Sequence, residues 1–132
     1  MADMMQFELV SPERMLASLQ VIEVEIPGAE GDFTAMADHA ALVTTMRPGI
    51  LKAKSATETT EYVVTGGFVE VSGTTTSVLA ENAVPRSEMT RDAANAILAE
   101  AEAALAGLNG AGRDAADKRL ADTKALVEAL GL

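Results

Sequence analysis

From Gln6 to Ala80 the chain is a series of short runs in which apolar and polar positions alternate, each closed by turn-forming residues. A period of two is the mark of strands that bury one face. Gln6–Val10 predicts a first strand, closed by Ser11-Pro12-Glu13-Arg14, and Ala17–Ile26 a longer second one that stops at Pro27. Its last part is the clearest: Ile22, Val24 and Ile26 alternate with Glu23 and Glu25. Short strands are predicted at Phe33–Met36, Leu42–Met46, Gly49–Ala53, Glu61–Thr65, Gly67–Ser72 and Thr75–Ala80. Between them lie Ser55-Ala56-Thr57-Glu58, Gly66-Gly67 and Ser72-Gly73-Thr74, sets that favour turns. Many short strands with closely spaced turns predict an antiparallel sandwich or barrel.

At about Pro85 the period changes from two to that of a helix. Asn82-Ala83-Val84-Pro85-Arg86 reads as a linker, because proline continues neither a strand nor a helix well. Thr90 or Ser87 can cap a first helix, with Asp92 in its first turn. Ile97, Ala101, Leu105 and Leu108 mark one face of that helix, and Gly107–Gly112 ends it and turns the chain. Arg113–Leu130 predicts a second helix with Ala116, Leu120, Val127 and Leu130 on one stripe. The predicted class is therefore β plus α: an N-terminal antiparallel β-sandwich over residues 1–84, a linker at 85–87 and an antiparallel two-helix hairpin over 88–132. So small and Ala-rich a hairpin cannot offset its own ordering entropy, and is expected to be stable only when docked.

Charge and composition narrow the partners. A formal net charge of −10 repels phosphate backbones and anionic membrane surfaces, and three Phe, one Tyr and no Trp leave few stacking platforms for bases. Neither nucleic-acid binding nor direct membrane insertion is expected. Cysteine is absent, which excludes disulfides and thiolate metal sites. Met1–Gln6 has no basic segment, and no apolar run approaches spanning length. The expected location is cytoplasmic, with membranes reached only through a partner.

No constellation for catalysis stands out. His39 is the single histidine and could serve as one base or one metal ligand, never as a multi-histidine site; a structural or interface role is its plainer reading. No serine follows a G-x-S-x-G pattern, and the spacing of Glu30 and Asp32 fits no EF-hand loop. Gly66-Gly67 lies between two strands and heads no helix, so it reads as a tight hairpin and not a phosphate cradle. The mixed charges of Arg113–Glu128 read as a solvated helix face. The residues alone support a β-sandwich with a detachable helical hairpin that binds other proteins.

Several motifs then carry a resemblance. Pro27-Gly28-Ala29-Glu30-Gly31-Asp32-Phe33, the segment Asp38-His39-Ala40-Ala41-Leu42 and Arg47-Pro48-Gly49-Ile50-Leu51 stand in one order and spacing. Val10-Ser11-Pro12-Glu13-Arg14, Gly66–Val71 and Val78–Ala83 extend the match. Together they resemble the ε subunit of bacterial F-type ATP synthases, δ in mitochondria. That resemblance implies a non-catalytic rotor subunit at the cytoplasmic face of the bacterial inner membrane. It implies the γ subunit and the c-ring as partners, with α and β reached through the hairpin. It places Glu30, Gly31 and Asp32 at the c-ring or γ interface, with His39 nearby. Members that bind ATP carry I-D-x-x-R-A at the start of the first helix, whereas this chain has Met89-Thr90-Arg91-Asp92-Ala93-Ala94, so no cofactor is expected. The competing reading is a free-standing sandwich module that dimerises through its hairpin; a cupin-like enzyme would need several His and Glu ligands, which the chain lacks.

Overall fold

The computed structural model describes residues 4–38 and 40–132. Ten strands precede two helices: β1 (Met5–Val10), β2 (Met15–Val21), β3 (Glu23–Gly28), β4 (Gly31–Met36), β5 (Leu42–Met46), β6 (Gly49–Lys54), β7 (Thr59–Val64), β8 (Gly67–Val71), β9 (Thr75–Ala80), β10 (Ala83–Pro85), α1 (Arg91–Leu105) and α2 (Gly110–Leu130). The strands form one sheet in the order β10-β7-β6-β3-β5-β8-β9-β1-β2, with β4 on the free side of β3. All pairs are antiparallel except β1 and β9, which run parallel. A single bridge, Gly28 to Met46, joins β3 to β5. There the sheet folds over into two layers: β10-β7-β6-β3-β4 faces β5-β8-β9-β1-β2.

The alternating side chains of both layers meet in one core. Met5, Phe7 and Leu9 of β1, Val69 and Val71 of β8 and Val78 of β9 enter from one layer. Val24, Ile26, Leu51, Tyr62 and Val64 enter from the other. The rings of Phe7 and Tyr62, far apart in strand order, lie 6.3 Å apart across this core. Burying an aliphatic or aromatic side chain is worth about 2 kcal/mol, so this interdigitation is the main source of stability.

The strand expected at Ala17–Ile26 is two strands. The buried set runs Ala17, Val21 and then Val24, Ile26, a one-residue phase slip at Ile22. At Ile22 the chain leaves β1's layer for β3's, and its N–H donates to Lys54 O at 2.7 Å. Nor does Pro27 end β3. Its carbonyl accepts from the Arg47 N–H at 3.0 Å, and the strand runs on to Gly28. The expected linker is also structured. Ala83–Pro85 pairs with β7 as an edge strand, where a missing N–H is harmless, and Arg86–Glu88 adds a 3-10 turn.

Thr90 caps α1, its hydroxyl accepting from the Ala93 N–H at 3.1 Å. The buried face of α1 is Ala94 and Ala101 with Ile97 half-buried; Leu108 falls beyond the helix end and is exposed. α2 begins at Gly110, three residues before Arg113. Gly110 and Gly112 then sit in its first turn, where the N–H groups have no helical partner in any case. Its buried residues are Thr123, Leu126 and Leu130, with Ala116, Leu120 and Val127 half-buried. Thr123 joins the stripe because its hydroxyl turns back onto the Arg119 carbonyl at 2.7 Å.

The hairpin lies against the outer face of the β6-β7-β10 layer. Val63 of β7 packs there with Met89, Ala94, Leu126 and Leu130, flanked by Ile50 and Val84. This explains the unbroken run Tyr62-Val63-Val64: the strand is covered on both faces, so no position in the run needs to be polar. Arg86 ties the ends together. It pairs with Glu61 of β7 at 3.0 Å and donates to Ala129 O in the last turn of α2 at 3.3 Å.

Candidate interaction surfaces

Two surfaces remain open once the hairpin has covered one layer. The first is the β3–β4 turn. Gly28 is required there by close approach, since a Cβ would stand 2.6 Å from Gly31 O and 3.0 Å from the Phe33 ring. Glu30 and Gly31 project into solvent. Arg47 pins the turn from the β5–β6 connection: Nη1 donates to Gly28 O at 2.5 Å and Nη2 pairs with the Asp32 carboxylate. The Ala29 N–H adds a bond to Thr45 O at 2.9 Å. The result is a pinned, exposed tip: Asp32 is paired with Arg47, and among the described residues Glu30 has no ion-pair partner.

His39 lies outside the described residues. Its neighbour Asp38 adopts φ 65° and donates its N–H to Gly73 O at 2.8 Å. That is the other end of β4 from Glu30, Gly31 and Asp32, six residues or about 20 Å away at ~3.3 Å per residue. Glu30, Gly31 and Asp32 thus share one turn, and the segment flanking His39 does not join them. Arg47, which holds the turn, was missed by sequence reasoning; an arginine ahead of Pro-Gly carries no pairing signal by itself.

The second surface is the outer face of the β5-β8-β9-β1-β2 layer. Strand register sets Thr45, Phe68, Leu79, Val10 and Met15 side by side in one row across it. Phe68, Leu79 and Met15 are 60%, 58% and 57% exposed. The next row is Val43, Glu70, Ser77, Glu8 and Ser18, with Val43 72% exposed. An apolar row beside one carrying two carboxylates, on an uncovered sheet, makes this face a candidate for protein binding. Its signal in the sequence is phase: Phe68 and Leu79 occupy positions that alternation reserves for polar side chains.

Burial raises the Tyr62 phenol above its ordinary value, helped by the charge of Glu58. Among the described residues no three His, Cys, Asp or Glu side chains converge as a metal site. A cavity of about 300 Å³ separates the hairpin from the β7–β8 turn, lined by Thr65, Glu81, Asn82, Glu100, Arg119 and Thr123. Arg119 is engaged by Glu81 at 2.7 Å. The buried Thr65 hydroxyl has no hydrogen-bond partner among the described residues. No described helix is long and apolar enough to cross a membrane.

Comparison with known proteins decides the family. The family model described as "ATP synthase, Delta/Epsilon chain, beta-sandwich domain" matches residues 4–86, which include all ten strands. The chain belongs to the ATP synthase delta/epsilon family. Similarity to members of this delta/epsilon family extends through the helices. The ATP synthase epsilon chain of Fuscovulum blasticum is 53% identical over 131 residues, covering 99% of both chains. That of Rhodobacter capsulatus is 52% identical over 126 residues, covering 96% of both. Among solved structures, a chain of the Euglena gracilis mitochondrial ATP synthase superimposes with a TM-score of 0.74 at 25% identity. The match covers 96% of this chain and 81% of that one. A chain from the Tetrahymena thermophila central stalk and c-ring shares the fold, with a TM-score of 0.71 at 20% identity. For this delta/epsilon chain, both the sandwich and the two-helix appendage are thus family features.

Proposed function

We propose that the chain is a non-catalytic subunit of the central stalk of an F-type ATP synthase. In this reading it binds the γ subunit and the c-ring and couples proton-driven rotation to ATP synthesis. The observation that carries it is the division of the sandwich's two outer faces: one is filled by the hairpin, while the other presents the row Phe68, Leu79, Val10 and Met15 uncovered. A subunit that transmits torque needs a stiff body, one broad docking face and a second contact point. The two-layer core supplies the first and the open sheet face, for γ, the second. The pinned tip at Glu30, Gly31 and Asp32 is the contact we assign to the c-ring or γ, an interface that the reading extends to His39.

The reading includes a peripheral location on the cytoplasmic side of the membrane and no bound nucleotide. Phosphates have little to hold in the hairpin cavity. Its single guanidinium, Arg119, is already paired, and Glu81 and Glu100 line the same space. Regulation of hydrolysis through α and β would require the hairpin to leave the sheet.

The test is to tag the chain at its C-terminus in its host, solubilise the membranes gently and identify what co-purifies. Recovery of α, β, γ and the c-ring with ATPase activity is expected. Recovery of the chain alone, or of its dimer, would overturn the assignment in favour of a free-standing module.

A further inference from the structure

Among the described residues, β2, β4 and β10 each pair with one neighbour only. Two of these free edges are blunted in the usual ways. β10 is three residues long and ends in Pro85, and β4 carries Asp32. β2 is different: Met-Leu-Ala-Ser-Leu-Gln-Val has no charge, no proline and no glycine. Its one irregularity is the bulge that leaves Leu16 without an opposite partner; from Ala17 to Val21 the ladder to β1 is regular. A five-residue uncharged edge leaves every second residue with an unpaired N–H and C=O facing outward, a template for another strand.

The apolar row of the open face runs into this edge at Met15, so a partner seated on the row reaches β2 without changing direction. We infer that β2 receives an added strand: an extended segment of a neighbouring chain of the stalk, which makes the β5-β8-β9-β1-β2 layer six-stranded. This rests on the stalk-subunit reading and says how the partner is held. The side chains along β2 set the segment's chemistry. Positions beside Ala17, Leu19 and Val21 continue the core side and are apolar. Positions on the other face lie beside Ser18, whose cross-strand neighbour on β1 is Glu8, which is in no ion pair among the described residues, and call for Lys or Arg. A chain of net charge −10 resists supplying that segment from its own second copy.

Amide hydrogen exchange resolves this, because an added strand protects alternate amides whereas side-chain docking protects none in particular. Exchange at residues 15–21 is measured in the purified chain and in the intact ATP synthase isolated from the host. Expected is slowing on the order of a hundredfold at every second residue from Ala17 to Val21, seen only in the assembled enzyme. Unchanged or uniformly shifted exchange in an enzyme that contains the chain overturns the added strand and leaves the stalk reading intact. Protection already present in the pure chain and lost on dilution assigns the edge to a second copy and overturns it too. Absence of the chain from the enzyme overturns both.

Discussion

Single residues carry more constraint in this chain than its plain composition suggests. Gly67 has φ +146°, and a Cβ there would stand 2.1 Å from Leu79 O across the β8–β9 pair. Gly67→Ala is therefore expected to cost about 3 kcal/mol, from backbone strain and a clash with a carbonyl that cannot move without its strand. Urea denaturation of the two forms measures it. Tyr62 makes a pH prediction. Because its phenol is held above its ordinary value of 10.0, the folded state keeps that proton more tightly than the unfolded chain. This contribution is complete below that value and is lost as pH rises through the folded-state pKa. Alkaline melting curves should fall more steeply for the parent than for Tyr62→Phe, and parallel curves would dismiss the effect.

Elements differ in how firmly they are attached. The strands share one core, but the hairpin rests on a small cluster around Val63 and on two cationic ties, Arg86 and Arg119. Leu126 is the deepest large side chain that α2 contributes, and Leu126→Ala should cost about 2–4 kcal/mol. Exchange of α1 and α2 amides should rise while those of β8 and β9 stay protected. Arg119→Ala should change the same protection by less than ~1 kcal/mol, since that pair is half in water and salt weakens it. The cap of α1 and most of the apolar stripe were legible from Thr90, Ile97 and Leu130, whereas the start of α2 at Gly110 was hidden by glycines that read as a turn. The strand break at Ile22 was also written in the chain, as a slip in the alternation, but a phase slip inside an apolar run looks like noise until the neighbours of each half are known. The strand at Ala83–Pro85 had no local signal: three residues with a proline become a strand only because β7 offers an edge.

At the scale of the molecule, the two outer sheet faces divide the work, one closed by the hairpin and one open. Replacing Phe68 and Leu79 together by Glu should leave stability within about 0.5 kcal/mol of the parent, because both side chains are already largely in water. On the proposed stalk assignment, the same double substitution should weaken association with the partner subunits by roughly 2 kcal/mol or more, a thirtyfold loss. Co-purification yield set against the melting temperature separates the two effects. The tip at Glu30 is expected to be tolerant in the free chain: Glu30→Ala removes a solvated carboxylate and should not move the melting temperature.

Alternation and period alone determined that this is a sandwich of short strands followed by two helices. Burial of one strand face and of one helix stripe imposes those periods whatever the surroundings. The residues also carried the family motifs, because turn chemistry at Pro27–Gly31 and Pro48-Gly49 is local. Only the tertiary structure decided which sheet face the hairpin covers, which row of apolar side chains is left open and that Arg47 reaches Asp32. It also decided that the Glu30 turn and Asp38 lie towards opposite ends of β4. Each of these depends on strand order and register, which join residues far apart in the chain through backbone hydrogen bonds that any side chain can make.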